Sequence, residues 1–229
     1  MLSGLRIDCS LVTTRTSRAR ARRAAGWLLL LALWTAAALA QGQQSPDSLV
    51  KQVADDVLGA LREDPDLRDG NQTKMAQLIE QKIAPHFAFD RMTRLAVGKA
   101  WRQATDAQRK DLMEQFRRLL VRSYSAAWTA YENIVVEIKP LRMQPGDDDV
   151  VVKTDIKRLG DAPPVPVNYS MFKTDSTWKV YDVSVEGVSL LTTYRSSFAE
   201  EIRKGGIDGL IKSLREKNAQ TAKPEGSHR

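Results

Sequence analysis

Asn133-Ile134-Val135-Val136-Glu137-Ile138-Lys139 decides the fold of this chain. Before it, apolar residues recur every three or four positions. From here they recur every second one, with Ile134, Val136 and Ile138 alternating against Val135, Glu137 and Lys139, the period of a strand. Pro145-Gly146-Asp147-Asp148-Asp149 then reads as a turn, and Val150–Ile156 resumes the alternation. Pro163-Pro164 closes a second turn. Val165, Val167, Tyr169 and Met171 follow on one face, with Asn168, Ser170 and Thr174 on the other. Asp175-Ser176 turns the chain into Trp178–Val185, and Gly187 ends the sheet. Four strands joined by short turns predict an antiparallel meander.

Upstream the pattern is helical. Ser45-Pro46 offers an N-cap with proline in the first turn, and Leu49, Val50, Val53, Val57, Leu58 and Leu61 follow at helical spacing. After the breakers Pro65 and Gly70, Asn71 caps a second helix carrying Met75, Leu78, Ile79 and Ile83, which Pro85 stops. Phe87, Phe89, Met92 and Leu95 mark a third. Thr105-Asp106-Ala107-Gln108 fits a capping box and opens a long amphipathic helix. Its stripe is Leu112, Phe116, Leu119, Leu120, Ala127 and Tyr131, widened by Met113, Tyr124 and Trp128. Beyond the sheet, Leu190, Leu191, Tyr194 and Phe198 begin another helix, and Gly205-Gly206 breaks it before a last one around Leu210, Ile211 and Leu214. The predicted class is α+β, with helices covering one face of a twisted antiparallel sheet of about four strands.

The N-terminus has a different character. Arg15, Arg18, Arg20, Arg22 and Arg23 precede the apolar run Trp27–Ala40, which closes on Ala38-Leu39-Ala40. This is the pattern of a cleaved export signal, and the run is short of the roughly 20 residues a membrane span needs. The expected organisation is a signal at 1–40, one domain at 41–217 and a disordered polar tail at 218–229. Removing the signal leaves 29 basic and 27 acidic groups, a net charge of +2, so the alkaline character belongs mainly to the signal. A nucleic-acid role, which needs a basic face, loses its support. Cys9, the single cysteine, leaves with the signal, so the mature chain has no disulfide or thiol chemistry.

Catalytic signatures are thin. Of two histidines, His228 lies in the tail. His86 could act as a general base oriented by Asp90 one turn later, but no G-x-S-x-G serine accompanies it. Asp147, Asp148 and Asp149 lack calcium-loop spacing, and there is no P-loop or G-x-G-x-x-G. Arg117, Arg118 and Arg122 read as solvated charge. The expectation is a binding or carrier protein without metal or cofactor.

Two blocks carry a resemblance. One is Val97-Gly98-Lys99-Ala100-Trp101-Arg102-Gln103-Ala104-Thr105, continuing through Gln108-Arg109 and Phe116 to Tyr124 and Tyr131. The other is Trp178-Lys179-Val180-Tyr181-Asp182-Val183, then Glu186-Gly187-Val188-Ser189-Leu190 and Gly206-Ile207-Asp208-Gly209-Leu210. Together, across roughly Ser45 to Lys217, the chain resembles the MlaC-like (toluene-tolerance, Ttg2-type) family. The resemblance implies a periplasmic phospholipid-binding protein that shuttles lipid between an outer-membrane lipoprotein–porin complex and an inner-membrane ABC transporter, maintaining outer-membrane lipid asymmetry. It also implies a monomer whose lipid-binding domain at 41–217 encloses an apolar cavity between sheet and helices. Some relatives are tied to hopanoid metabolism, so the cargo stays open.

Exposing acyl chains to water costs about 0.8 kcal/mol per CH₂, so a carrier must enclose them in an apolar hollow. The expected lining is Phe116, Leu120 and Trp128 from the long helix, Val152, Val167, Tyr169 and Met171 from the sheet, and Val183, Val185, Val188 and Leu191 beyond. Gly98, Gly187 and Gly206 are expected to supply backbone conformations instead. The competing readings are a small-molecule enzyme on a cone-shaped α+β scaffold, using His86 with Asp90 or Asp182, and an adaptor that binds only protein.

Overall fold

Helix α1 (Pro46–Glu63) starts where the sequence places it, with Ser45 extended at the N-cap and Pro46 in the first turn. The Ser45 hydroxyl meets Ser48 Oγ at 2.8 Å instead of capping an amide. The computed structural model describes residues 44–128, 134–158 and 163–220, except for the side chains of 126–128. The expected signal at 1–40, the Ala127 and Trp128 side chains, Tyr131, Asn133 and the tail residues 221–229 lie outside the described residues.

A single turn, α2 (Pro65–Arg68), leads to α3 (Gln72–Leu78), which is capped as expected: Lys74 N–H donates to Asn71 Oδ1 at 3.1 Å. Instead of stopping at Pro85, this helix passes into a π-helical turn at Ile79–Ile83 and a 3₁₀ turn at Ala84–His86. Helix α4 (Phe89–Val97) and a 3₁₀ segment (Gly98–Gln103) precede the long α5 (Asp106–Trp128). The capping box is formed reciprocally, with Thr105 N–H on Gln108 Oε1 at 3.0 Å and Gln108 N–H on Thr105 Oγ1 at 3.2 Å.

The strands are β1 (Ile134–Ile138), β2 (Asp149–Arg158), β3 (Val165–Lys173), β4 (Trp178–Val185) and β5 (Val188–Ser189). They form one antiparallel sheet in sequential order. The sheet thus has five strands where the sequence indicated about four, because a two-residue strand has no period to read. Between β3 and β4 the register shifts at Ser170/Met171, leaving Tyr181 as the extra residue of a bulge. Arg91 of α4 lies over the Tyr181 and Phe172 rings, at 3.8 and 4.3 Å, and pairs with Asp149 at 3.0 Å. This fastens α4 to the sheet.

Helix α6 (Leu190–Gln220) bends at Gly205 and Gly206. Gly206, at φ 66° and ψ −163°, occupies a region essentially reserved for glycine. The helix continues through Asn218, the expected start of the tail. Asn218 is buried, and its amide donates to Gln115 O and Oε1, each at 3.0 Å.

Three buried clusters result. Met92, Leu112, Phe116, Phe198 and Leu210 belong to the packing of α4, α5 and α6. Leu49 and Val50 of α1 cover Val150, Val152, Met171, Trp178 and Val180 of the sheet. Val57, Met75, Ile79 and Val121 join α1, α3 and α5. Phe87 packs against both the first and the second cluster. A domain of this size usually has one contiguous core; the division of this one positions the site.

Candidate functional site

Residues paired directly across a sheet project to the same face. The register therefore gives three rows on the face that α1 packs against. They are Val136–Ile156–Val165, then Ile138–Thr154–Val167–Val185–Val188, then Val152–Tyr169–Val183. Beyond the last row, Val150, Met171, Val180 and Trp178 are buried under α1. Towards the opposite end of the sheet, Val136, Ile156, Val165, Tyr169, Val183 and Val185 are only half-buried. The same apolar face is thus buried beneath α1, half-covered further along, and buried again at Ile134 of β1.

No strand is among the main packing partners of α5 within the described residues; it packs on α6, α4, α3 and the π-turn. The sheet meets the helical layer through α1, α4 and the start of α6. Half-buried Tyr124, Leu191 and Tyr194 fringe the α4–α5–α6 cluster. Tyr194 packs edge-on to Phe116 at 4.9 Å and lies 5.7 Å from Phe198.

Tyr169 lies in the half-covered part of the face. Protein surrounds its phenol deeply enough for burial to push its pKa up, yet the residue keeps accessible surface. With Val183 and Ile138 it packs against the edge of the α1–sheet cluster. Its hydroxyl bonds to Thr154, whose own hydroxyl donates to Val167 O at 2.9 Å. Burial also raises Tyr194, and burial with the neighbouring Tyr194 pushes Tyr124 up to about 12. The half-buried residues Val136, Ile156, Val165, Val183 and Val185 on the face of Tyr169 carry no ionisable group.

The expected lining residues separate into groups. Phe116 and Leu120 are buried in the α4–α5–α6 cluster, and Val152 and Met171 in the α1–sheet cluster. Val167 is buried in the middle of its row. Tyr169, Val183, Val185 and Leu191 are half-buried, and Val188 is exposed on β5. Val136, Ile156 and Val165 were within reach of the period-two alternation, and Tyr124 and Tyr194 of the helical stripes. None was singled out, because nothing in a strand pattern tells a covered valine from an uncovered one.

The residues of the alternative chemistry lie on separate elements. His86 sits in the 3₁₀ turn; burial first, then the Lys179 charge, lowers its pKa. Asp90 is exposed in the first turn of α4. Asp182 caps α6, accepting from Ser189 Oγ at 2.7 Å and from Leu191 N–H at 3.1 Å. Asp149 is taken up by Arg91 and by the Tyr181 hydroxyl at 2.8 Å. Among the described residues no group of His, Cys, Asp and Glu has the spacing of a metal site, and no helix is long and apolar enough to cross a membrane. A separate recess of about 420 Å³ between α5 and the end of α6 is lined by Arg118, Arg122 and Arg215 with Gln115, Asn218 and Ala219. Its charge suits it poorly to hydrocarbon.

The chain is similar to known proteins over most of its length. The family model described as MlaC protein matches residues 51–216. The toluene tolerance protein ttg2D of Pseudomonas putida is 26% identical over 185 residues, covering 80% of this chain and 84% of that protein. The intermembrane phospholipid transport system binding protein MlaC of Haemophilus influenzae is 22% identical over 187 residues, covering 78% and 84%. Among solved structures, a phospholipid-binding protein of Ralstonia solanacearum in complex with a phospholipid is 41% identical and superposes with a TM-score of 0.73. That match covers 79% of this chain and all of the other.

Proposed function

The chain belongs to the MlaC protein family, and from that premise we propose that it is a non-catalytic phospholipid carrier of the periplasm. The observation that carries the reading is the apolar inner face of the sheet, closed over Val152 and Met171 but half-open around Tyr169, Val183 and Val185. Two ordinary acyl chains would cost roughly 20 kcal/mol in water. A neutral hollow walled by valine, isoleucine and tyrosine offsets that cost without catalytic machinery. The headgroup, left in water, needs no ionic recognition site.

In this reading the carrier moves lipid between an outer-membrane lipoprotein–porin complex and an inner-membrane ABC transporter, maintaining outer-membrane lipid asymmetry. The segment 1–40 directs export and is removed, giving a mature N-terminus near Gln41 in the periplasmic fraction. An intact chain in the membrane pellet contradicts that step.

The test of the carrier is mass spectrometry of protein purified without detergent. A diacyl phospholipid bound to the folded chain is the expected result. A hopanoid in its place would change the cargo and keep the carrier, whereas an empty protein that also takes up no phospholipid from vesicles would overturn the proposal.

A further inference from the structure

The inner face of the sheet does not end at a covered edge. The row Ile138–Thr154–Val167–Val185–Val188 crosses all five strands in register. Along it burial falls away toward β5: Thr154 and Val167 are buried, Val185 is half-buried, and Val188 is 62% exposed. Among the described residues Val188 is the most exposed large apolar side chain, ahead of Val135 on the opposite face at 58%. An exposed valine in register with a buried row carries the sheet's apolar face out to water.

Val188 is also held firmly. The tight turn before it places Glu186 at φ 52° and Gly187 at φ 83°. Two successive left-handed residues are the signature of a type I′ hairpin, which normally favours asparagine and glycine over glutamate. Glu186 N–H donates to Pro166 O at 2.9 Å, tying the tip to β3. Behind Val188, the Asp182 cap fixes Ser189 and the start of α6, placing half-buried Leu191 next to β5 in the chain. A loose loop could expose a valine by chance; here strand pairing, a hydrogen-bonded turn and a helix cap all hold it in place.

Resting on the carrier reading, we propose that the β4–β5 edge is the portal of the hollow and Val188 its lip. An acyl chain of a phospholipid slides over Val188 and Val185 as it enters and leaves. Val188 acts in transit and contributes little to holding the bound lipid, so rate and occupancy separate.

The experiment uses the mature chain and measures transfer of a fluorescent-chain phospholipid between phosphatidylethanolamine–phosphatidylglycerol vesicles. Lipid per protein by mass spectrometry and the melting temperature are recorded alongside. A charge in the hydrocarbon path is costly, so Val188→Asp is expected to slow transfer about tenfold, with occupancy and melting temperature unchanged. Val188→Ser should slow it less. Val135→Asp, on the opposite face of β1, should leave transfer at the wild-type rate. Unchanged transfer in Val188→Asp overturns the portal, as does equal slowing by Val135→Asp. A loss of equilibrium occupancy in Val188→Asp would make Val188 part of the wall and also overturn it. A wild-type chain that neither carries nor takes up lipid overturns the carrier reading and the portal together.

Discussion

Val152 and Val185 lie in neighbouring rows of the same sheet face and differ in what covers them. Val152 is fully buried beneath α1, and Val185 is half-buried further along. Val152→Trp should therefore overpack a closed cluster and cost about 1–3 kcal/mol, lowering the melting temperature of delipidated protein while the folded fraction keeps its lipid. Val185→Trp should fill space that acyl chains use, reducing lipid per protein with little loss of stability. Equal effects from the two substitutions would contradict the division of the face. His86 gives a different test. Its folded pKa lies below the ordinary 6.5, held there first by burial and then by Lys179. The unfolded chain consequently binds the proton more readily, so stability is lost as pH falls from about 6.5 through the folded value. Melting curves at pH 7 and pH 5 should show a larger loss for wild type than for His86→Gln, with lipid occupancy unaffected by the substitution at pH 7. A matching loss in the variant would remove His86 from the account.

Among the elements, the start of α6 depends on a residue from another strand. Asp182→Ala removes the acceptor for Leu191 N–H and the partner of Ser189 Oγ, and should cost about 1–2 kcal/mol in denaturant unfolding. Asp182→Asn keeps an oxygen for the Leu191 amide and should retain much of that stability. Equal losses from the two would show that the carboxylate charge matters, not the cap. Some of this architecture was written locally and legible from sequence. Thr105 and Gln108 announce the capping box, Gly205-Gly206 the bend of α6, and the switch at Ile134 the sheet. Other features depend on partners distant in sequence. The π-turn at Ile79–Ile83 keeps helical apolar spacing, so its altered hydrogen bonding is invisible to periodicity. Asn218 reads as tail because its burial is created by Gln115, 103 residues away. Phe116 and Tyr124 share one helical stripe, yet the first is buried and the second half-buried. Coverage by another element separates core from lining, and a stripe does not record it.

At the scale of the whole molecule, the described residues form three buried clusters and leave part of the sheet's apolar face half-covered. Close packing normally leaves few voids larger than a water molecule, so leaving valines and tyrosines half-covered forgoes stability that a closed core would provide. A carrier accounts for this, because the cargo supplies the missing contacts: lipid should stabilise the folded chain in proportion to its occupancy. The most direct measurement is photolabelling with a phospholipid that carries a diazirine within an acyl chain, loaded onto the protein, irradiated and mapped by peptide mass spectrometry. The account predicts label on Tyr169, Val183 and Val185 of the sheet and on Tyr124, Leu191 or Tyr194 of the helices. Label confined to the outer-face residues Val135 and Val151, or to the arginine-lined recess at Arg118 and Arg215, would contradict it.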